Sequence, residues 1–269
     1  MELRFSPLFS GSSGNATYVS CGDTRLLIDA GVSGTRVSRE LECMGIDPQS
    51  LNAILVTHEH ADHIKGIGIL SRKYDLPVYA TEGTWEGMLG KIGPIADKNR
   101  VIFEPDQDFF LGQIDVTPFS IPHDANQPVG YVFEADGARL AVATDIGCVK
   151  DSWLRFVTGS DAVILESNYD PDMLRAGRYP YELKKRIMSR RGHLSNDDAG
   201  MVATELARTG THQIILGHLS KENNFPELAM RSCELSLQMN RIEPHQDVLI
   251  YVANRDRNSG MFSVIAGFE

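Results

Sequence analysis

The sequence lacks any uninterrupted apolar run of the roughly 18 residues that suggest a bilayer-crossing helix, so no membrane span is expected. It does not open with a basic stretch followed by an apolar one, which argues against a secretory leader. Cysteine is sparse: Cys21, Cys43, Cys148 and Cys233 are scattered, with no C-x-x-C pair. That fits reduced thiols in the cytoplasm better than a disulfide framework. Internal repeats, low-complexity tracts and Pro/Gly linkers are missing too, so residues 1–269 read as a single domain. Positive charge is in deficit, with 26 Lys and Arg against 36 Asp and Glu and a net charge of -10. A chain of that balance is not a general binder of phosphate backbones.

The charge that is present is unevenly placed. Arg175, Arg178, Lys184, Lys185, Arg186, Arg190 and Arg191 lie between Met173 and Gly192, against the single acid Glu182 among their neighbours. Taken alone, such a run reads as a solvated helix face.

Short apolar runs bounded by Gly, Ser or Asp predict strands over Leu3–Phe9, Thr17–Ser20 and Arg25–Asp29. Helical spacing follows over Ser33–Met44, a buried strand over Ala53–Thr57, a helix over Ile64–Tyr74 and a strand over Pro77–Ala80. Phe109–Ile121 and Gly130–Ala143 read as antiparallel strands, with Asp136-Gly137 as a hairpin turn. Beyond them come a strand at Ala162–Leu165, helices over 172–190 and 196–209, a strand at Gln213–Leu216, a helix over Pro226–Met239 and a strand at Val248–Val252. Ser195 with Asp198 three residues on suggests a capping box opening the second of those helices. Strands followed by βα alternation, twice over, predict an α/β fold of layered sheets faced by helices.

The chemistry is concentrated just after the strand Ala53–Thr57, in His58-Glu59-His60-Ala61-Asp62-His63. One histidine is usually an ordinary core or loop residue. Three with an aspartate inside six residues would gather partly charged groups with nothing to balance them unless a cation is bound. Imidazole and carboxylate are the donors that Zn²⁺ and Mn²⁺ take. His58 and His60 can share one metal while Asp62 and His63 turn toward a second. His123, Asp145 and His218 each follow an apolar strand run and are the best remaining ligands, with Asp145 the candidate to bridge both ions. Two ions about 3.5–4 Å apart bring a bridging water's pKa to about 7, which supplies a hydroxide nucleophile without a serine or cysteine. Asp62 is then catalytic as well as a ligand.

H-x-H-x-D-H followed by His123, Asp145 and His218 resembles the metal motifs of the metallo-β-lactamase superfamily, over nearly the whole chain. The resemblance implies an αββα four-layer sandwich, two divalent ions (Zn or Mn) at one edge, and a buttressing role beneath the ligand loop for Asp29 of Leu-Leu-Ile-Asp-Ala-Gly. Three stretches, Ser10-Gly11-Ser12-Ser13-Gly14-Asn15, Gly192-His193-Leu194-Ser195-Asn196 and Leu216-Gly217-His218-Leu219-Ser220-Lys221-Glu222-Asn223-Asn224, look like the YycJ/WalJ exonuclease group, and the last two are also similar to tRNase Z-type nucleases. By that likeness His193 pairs with Glu166 and assists proton transfer as general acid, while His218 binds metal. Ser12, Ser13 and Asn15, with Ser195, Asn223 and Asn224, are candidate contacts to substrate phosphate. Lys184, Lys185 and Arg186 are candidates to guide a nucleic-acid backbone toward the metals. His212 and His245 are assigned to the surface.

Asp145 stands where zinc β-lactamases commonly carry cysteine, which counts against an antibiotic hydrolase. There is no room for the large insertion of β-CASP nucleases and no long exosite arm. The expectation is a phosphodiesterase on nucleic acid, and the resemblance to the YycJ/WalJ group implies a 5′-to-3′ DNA exonuclease. The alternatives are a small-molecule hydrolase acting on a thioester, lactone or cyclic phosphodiester, or a non-hydrolytic iron oxidoreductase, the latter opposed by His60.

Overall fold

A computed structural model describes residues 1–266. The first strands are β1 (Arg4–Phe9), β2 (Ala16–Cys21), β3 (Thr24–Ile28), β4 (Ala53–Leu55), β5 (Val78–Ala80) and β6 (Arg100–Ile102). There follow β7 (Phe109–Leu111), β8 (Ile114–Ser120), β9 (Val129–Ala135), β10 (Ala138–Ala143), β11 (Ala162–Glu166), β12 (Gln213–Gly217), β13 (Leu249–Val252) and β14 (Phe262–Ser263). They form two sheets, ordered β14-β1-β2-β3-β4-β5-β6 and β13-β12-β11-β10-β9-β8-β7. The helices are α1 (Gly34–Cys43), α2 (Ala61–Ile64), α3 (Ile67–Tyr74), α4 (Glu82–Met88), α5 (Asp151–Val157), α6 (Pro171–Ala176), α7 (Tyr181–Ile187), α8 (Asn196–Arg208) and α9 (Pro226–Met239).

The layers follow from alternation along the strands. In β3, Leu26 and Ile28 enter the core between the sheets while Leu27 joins the core under α1, α3 and α4. In β11, Ile164 faces the central core and Val163 and Leu165 face α5, α8 and α9. Successive strand residues point to opposite faces, so a strand apolar at every position must be covered on both sides. Two such sheets stacked face to face, each with helices outside, make the αββα sandwich. Tyr131, Phe133, Leu140 and Ile215 fill its centre.

Several local readings meet their physical cause here. Helix α9 has the anticipated bounds, and α8 opens with the Ser195–Asp198 capping box. The helix expected over Ile64–Tyr74 is interrupted at Gly66, where a Cβ would come within 2.5 Å of the Val32 carbonyl oxygen. The helix expected over 172–190 is two, α6 and α7, parted around Gly177 and Pro180, since the residue before a proline avoids helical geometry. The strand expected over Phe109–Ile121 is a hairpin turning at Gly112, whose φ of +57° favours glycine. Helix α4 was not foreseen; the Thr81 side chain caps it by accepting from the Thr84 amide.

Phe133 is fully buried between the sheets, so Phe133→Ala should cost about 3–5 kcal/mol through lost burial and an unfilled cavity. Urea unfolding would read this as a lower midpoint. A loss below about 1 kcal/mol would mean that this layer is not close-packed.

Candidate metal centre

Strands β3 and β4 run parallel, as do β10, β11 and β12. Strand β8 runs with them, being antiparallel to β9, itself antiparallel to β10. Their carboxyl ends lie at one edge, the place where open α/β sheets present side chains to ligands. Asp29 leaves β3, the His58–His63 loop leaves β4, His123 follows β8, Asp145 follows β10, Glu166 closes β11 and His218 follows β12. Asp29, Asp145 and His218 adopt left-handed backbone, with φ of +60°, +60° and +56°. Such conformations in residues other than glycine concentrate at functional sites, where the surrounding structure holds them.

Each of four histidines has one ring nitrogen committed. His63 Nδ1 donates to Asp29 Oδ2 at 2.7 Å. The Thr57 hydroxyl donates to that same oxygen at 2.8 Å, so its own oxygen can accept from His58 Nδ1 at 3.0 Å. His123 Nδ1 donates to the Gly192 carbonyl at 3.0 Å, and His218 Nδ1 to Glu166 Oε1 at 2.8 Å. Fixing one nitrogen sets the tautomer and leaves the other as a bare donor, the arrangement usual for metal-binding imidazoles. Imidazole and carboxylate donors converge in overlapping groups: His58, His60 and His123; Asp62, His63 and His218; His58, His63 and Asp145; and Asp145, Glu166, His193 and His218. Within each group they lie no more than 4.8 Å apart.

His58 Nε2, His218 Nε2 and Asp145 Oδ2 are buried with no hydrogen-bond partner. Three buried polar atoms without partners, each on a residue of these overlapping groups, are costly unless cations satisfy them. The titration behaviour agrees. Burial opposes charge on Asp62 and Glu166, yet His63 and His218 around the first and His193 and His218 around the second hold both carboxyls well below the usual carboxylate range. Burial opposes charge on His63 as well, but Asp145, Asp29 and Asp62 raise it to about 9. Burial and crowding by His63, His123 and His60 push His58 far down. Burial opposes charge on His218 too, but Asp145, Asp62 and Glu166 raise it well above the usual imidazole range. The metal-free cluster therefore balances its carboxylates with protons on His63 and His218, and this donor set fits a divalent cation, which would displace them.

Beside the cluster, His193 Nδ1 donates to Glu166 Oε1 at 2.9 Å. Glu166 is completely buried, and its other oxygen accepts the Ile146 and Leu194 amides at 2.8 and 3.0 Å. One carboxylate thus orients both His193 and His218. His193 lines an open cavity of about 290 Å³ with Ser12, Asp62, Asp124, Tyr179 and Arg186.

The expected substrate contacts divide. Ser12 lines the cavity, and Ser12 and Ser13 are exposed. Four others, Asn15, Ser195, Asn223 and Asn224, are buried rather than open to the cavity. Asn15 Oδ1 accepts the Gly11 amide at 2.9 Å and its Nδ2 reaches His63 Nε2 at 3.0 Å, so it ties the N-terminal turn to the ligand loop. The Ser195 hydroxyl donates to Asp198 Oδ2 at 2.7 Å to close α8. Asn223 is 1% exposed, and Asn224 bonds the Ser167 and Asn168 carbonyls. Lys184 donates to the Arg175 carbonyl and Arg186 to Asp124, while Lys185 faces solvent. The sequence reading passed over Asp124, which adjoins His123, and Asn168, whose Nδ2 donates to the His218 carbonyl at 2.7 Å. A single Asp or Asn beside a motif carries no periodic signal that would have found them. His245 is exposed and His212 half-buried, away from the cluster.

Residues 24–219 match the β-lactamase superfamily domain, and the chain belongs to the metallo-β-lactamase superfamily of hydrolases. It is 43% identical to exodeoxyribonuclease YycJ of Bacillus anthracis over 88% of this chain and 90% of that one. It is 42% identical to exodeoxyribonuclease WalJ of Streptococcus pneumoniae over 84% and 85% of the two chains. The crystal structure of the metallo-β-lactamase fold protein YhfI from Bacillus subtilis superposes with a TM-score of 0.73 at 18% identity, covering 98% of this chain and all of that one, a likeness of fold. Among the described residues no helix is long and apolar enough to cross a membrane.

A cation can bind His63 only after its proton leaves. In the metal-free protein, where its pKa is about 9 against 6.5 for the free side chain, the stabilisation from protonated His63 is complete below pH 6.5 and is lost as pH rises through about 9. Cation affinity should run the opposite way, climbing about tenfold per pH unit between those values for each proton released. Chelator competition across that range checks this, and a flat profile would contradict it.

Proposed function

We propose that this protein is a DNA exonuclease working in the 5′-to-3′ direction, with two divalent ions, Zn²⁺ or Mn²⁺, held by its histidine–aspartate cluster. His58, His60 and His123 would hold one ion, Asp62, His63 and His218 the other, with Asp145 reaching both. The observation that carries a hydrolytic reading is the Glu166–His193 pair set beside a donor cluster on the wall of an open cavity. The choice of DNA rests on the relatives named exodeoxyribonucleases.

When bound, the ions would ionise a water near neutral pH and polarise the phosphodiester. The chain's own residues do the rest. Glu166 accepts from His193 Nδ1, which leaves Nε2 on the cavity side to carry the proton that the departing oxygen needs. The same carboxylate fixes His218. Asp29 and Thr57 hold His58 and His63 so that the ligand loop does not reorganise during turnover. Arg178, Lys185 and Arg190 are exposed on the segment bordering the cavity and can follow a phosphate backbone despite the acidic whole. We take residues 1–269 as one domain, because the ligands come from both sheets and neither sheet alone completes the centre.

Hydrolysis of end-labelled single- and double-stranded DNA with Mn²⁺ or Zn²⁺ tests the reading. Asp145→Ala should abolish cleavage and metal loading together; full activity in that variant would refute the assignment. His193→Ala should keep the metal and slow turnover about 10²–10⁴-fold, the scale of a lost general acid. Reversing the charge of Arg178 and Lys185 should weaken DNA binding and flatten its salt dependence, and an unchanged slope would remove the guiding role.

A further inference from the structure

The loop carrying His123 is fastened to the basic segment by contacts that catalysis as described does not require. Arg186 Nε of α7 donates to Asp124 Oδ2. Arg191 Nε donates to the His123 carbonyl at 3.0 Å and its Nη2 to the Ala125 carbonyl at 3.3 Å. Arg186, a candidate guide for nucleic acid, and Arg191 are thus both engaged with residues 123–125. The second oxygen of Asp124, Oδ1, is buried and has no hydrogen-bond partner. It lies 3.4 Å from His123 Nε2 and 3.8 Å from His60 Nε2, both longer than a good hydrogen bond. This orphaned carboxylate oxygen stands beside the His123 nitrogen that meets His60 Nδ1 at 3.3 Å, while on His60 itself it faces the opposite nitrogen, so its approach to a cation there is through the His123 side.

We propose that Asp124 gives a further carboxylate oxygen to the cation at His58, His60 and His123, and that its other oxygen, through Arg186, couples occupancy of that position to the placement of α7 over the cavity. The proposal rests on the metal-centre reading above. Helix α7 has no buried residue, so little packing holds it down. Its Lys184 donates to the Arg175 carbonyl, which lies in the same segment, so within α7 the Arg186–Asp124 pair reaches the metal loop, while Arg191 just beyond the helix holds the same loop and the His193 amide donates to the Ile187 carbonyl. The Asp124 side chain is 27% exposed. Without a cation it gains by turning Oδ1 toward water, and Arg186 and α7 follow. With a cation, Oδ1 is satisfied, Oδ2 stays under Arg186, and Leu183, Arg186 and Ile187 of α7 wall the cavity. Cation loading and closure of the cavity rim become one event.

Hydrogen exchange over residues 178–191 in chelator-stripped and in Mn²⁺- or Zn²⁺-loaded protein reads the coupling, and chelator competition reads the affinity. Loading should slow exchange in α7 of the wild type. Asp124→Asn, which keeps the shape and removes the charge, should bind the cation at least about tenfold more weakly and lose the loading-dependent protection. Arg186→Gln should lose the protection and, because the coupling is reciprocal, bind the cation more weakly, though by less than Asp124→Asn, which separates the latch from the donor. Wild-type affinity and wild-type protection in Asp124→Asn overturn the proposal. A wild-type protein that takes up neither cation overturns the metal-centre reading beneath it, a failure distinct from the first.

Discussion

Asp29, Asp145 and Glu166 are buried and Asp62 is half-buried at one edge of two sheets, and only imidazoles stand among them. Buried carboxylates require positive charge or donated hydrogen bonds in return. Asp29 and Glu166 receive hydrogen bonds, from Thr57 and His63 and from His193, His218 and two amides. Asp145 Oδ2 has no hydrogen-bond partner and faces His63 Nε2 at 3.3 Å, so Asp145 relies on the surrounding imidazoles for its charge. That imbalance, concentrated where His58 and His218 also present bare nitrogens, is what a cation relieves. The rest of the edge can be understood as support for it: strained turns at Asp29, Asp145 and His218, tautomers fixed from behind, and strands ending in step.

Much of the architecture was legible because strand burial leaves a signature. Strands covered on both faces, such as Ala162–Glu166 and Gln213–Gly217, read as continuous apolar runs, and their positions emerged within a residue or two. Helix ends with chemical punctuation were equally clear, as at Ser195 and Pro226. What escaped was set by distant contact. Gly66 breaks a periodic helix because the Val32 carbonyl occupies the space a side chain would need. Helix α4 is short, and its buried Trp85, which packs into the outer core, is too little periodicity to announce it.

The centre shows the same division. H-x-H-x-D-H is dense enough to be noticed anywhere, and the strand ends before His123, Asp145 and His218 gave those residues a common context. The polar residues of the surrounding loops carried no such context, so exposure could not be guessed. Asn15 and Ser195 look like donors for a substrate in one dimension, yet in three Asn15 ties the N-terminal turn to the ligand loop, Ser195 caps α8, and Asn223 is simply buried. The basic stretch was similarly ambiguous. Arg186 and Arg191, though exposed, are paired with residues 123–125, whereas Arg178, Lys185 and Arg190 are exposed with no such pairing to that loop. A charge run does not reveal which of its members will find an internal partner.

The fold supports many hydrolytic reactions, so the particular chemistry depends on what gathers at this edge. Anomalous diffraction from crystals grown with Mn²⁺ or Zn²⁺ addresses that most directly. Two peaks are expected, one among His58, His60 and His123 and one among Asp62, His63 and His218, with Asp145 reaching both. Peaks elsewhere, or His123 and His218 turned away from the His58–His63 loop in the metal-loaded crystal, would contradict the account.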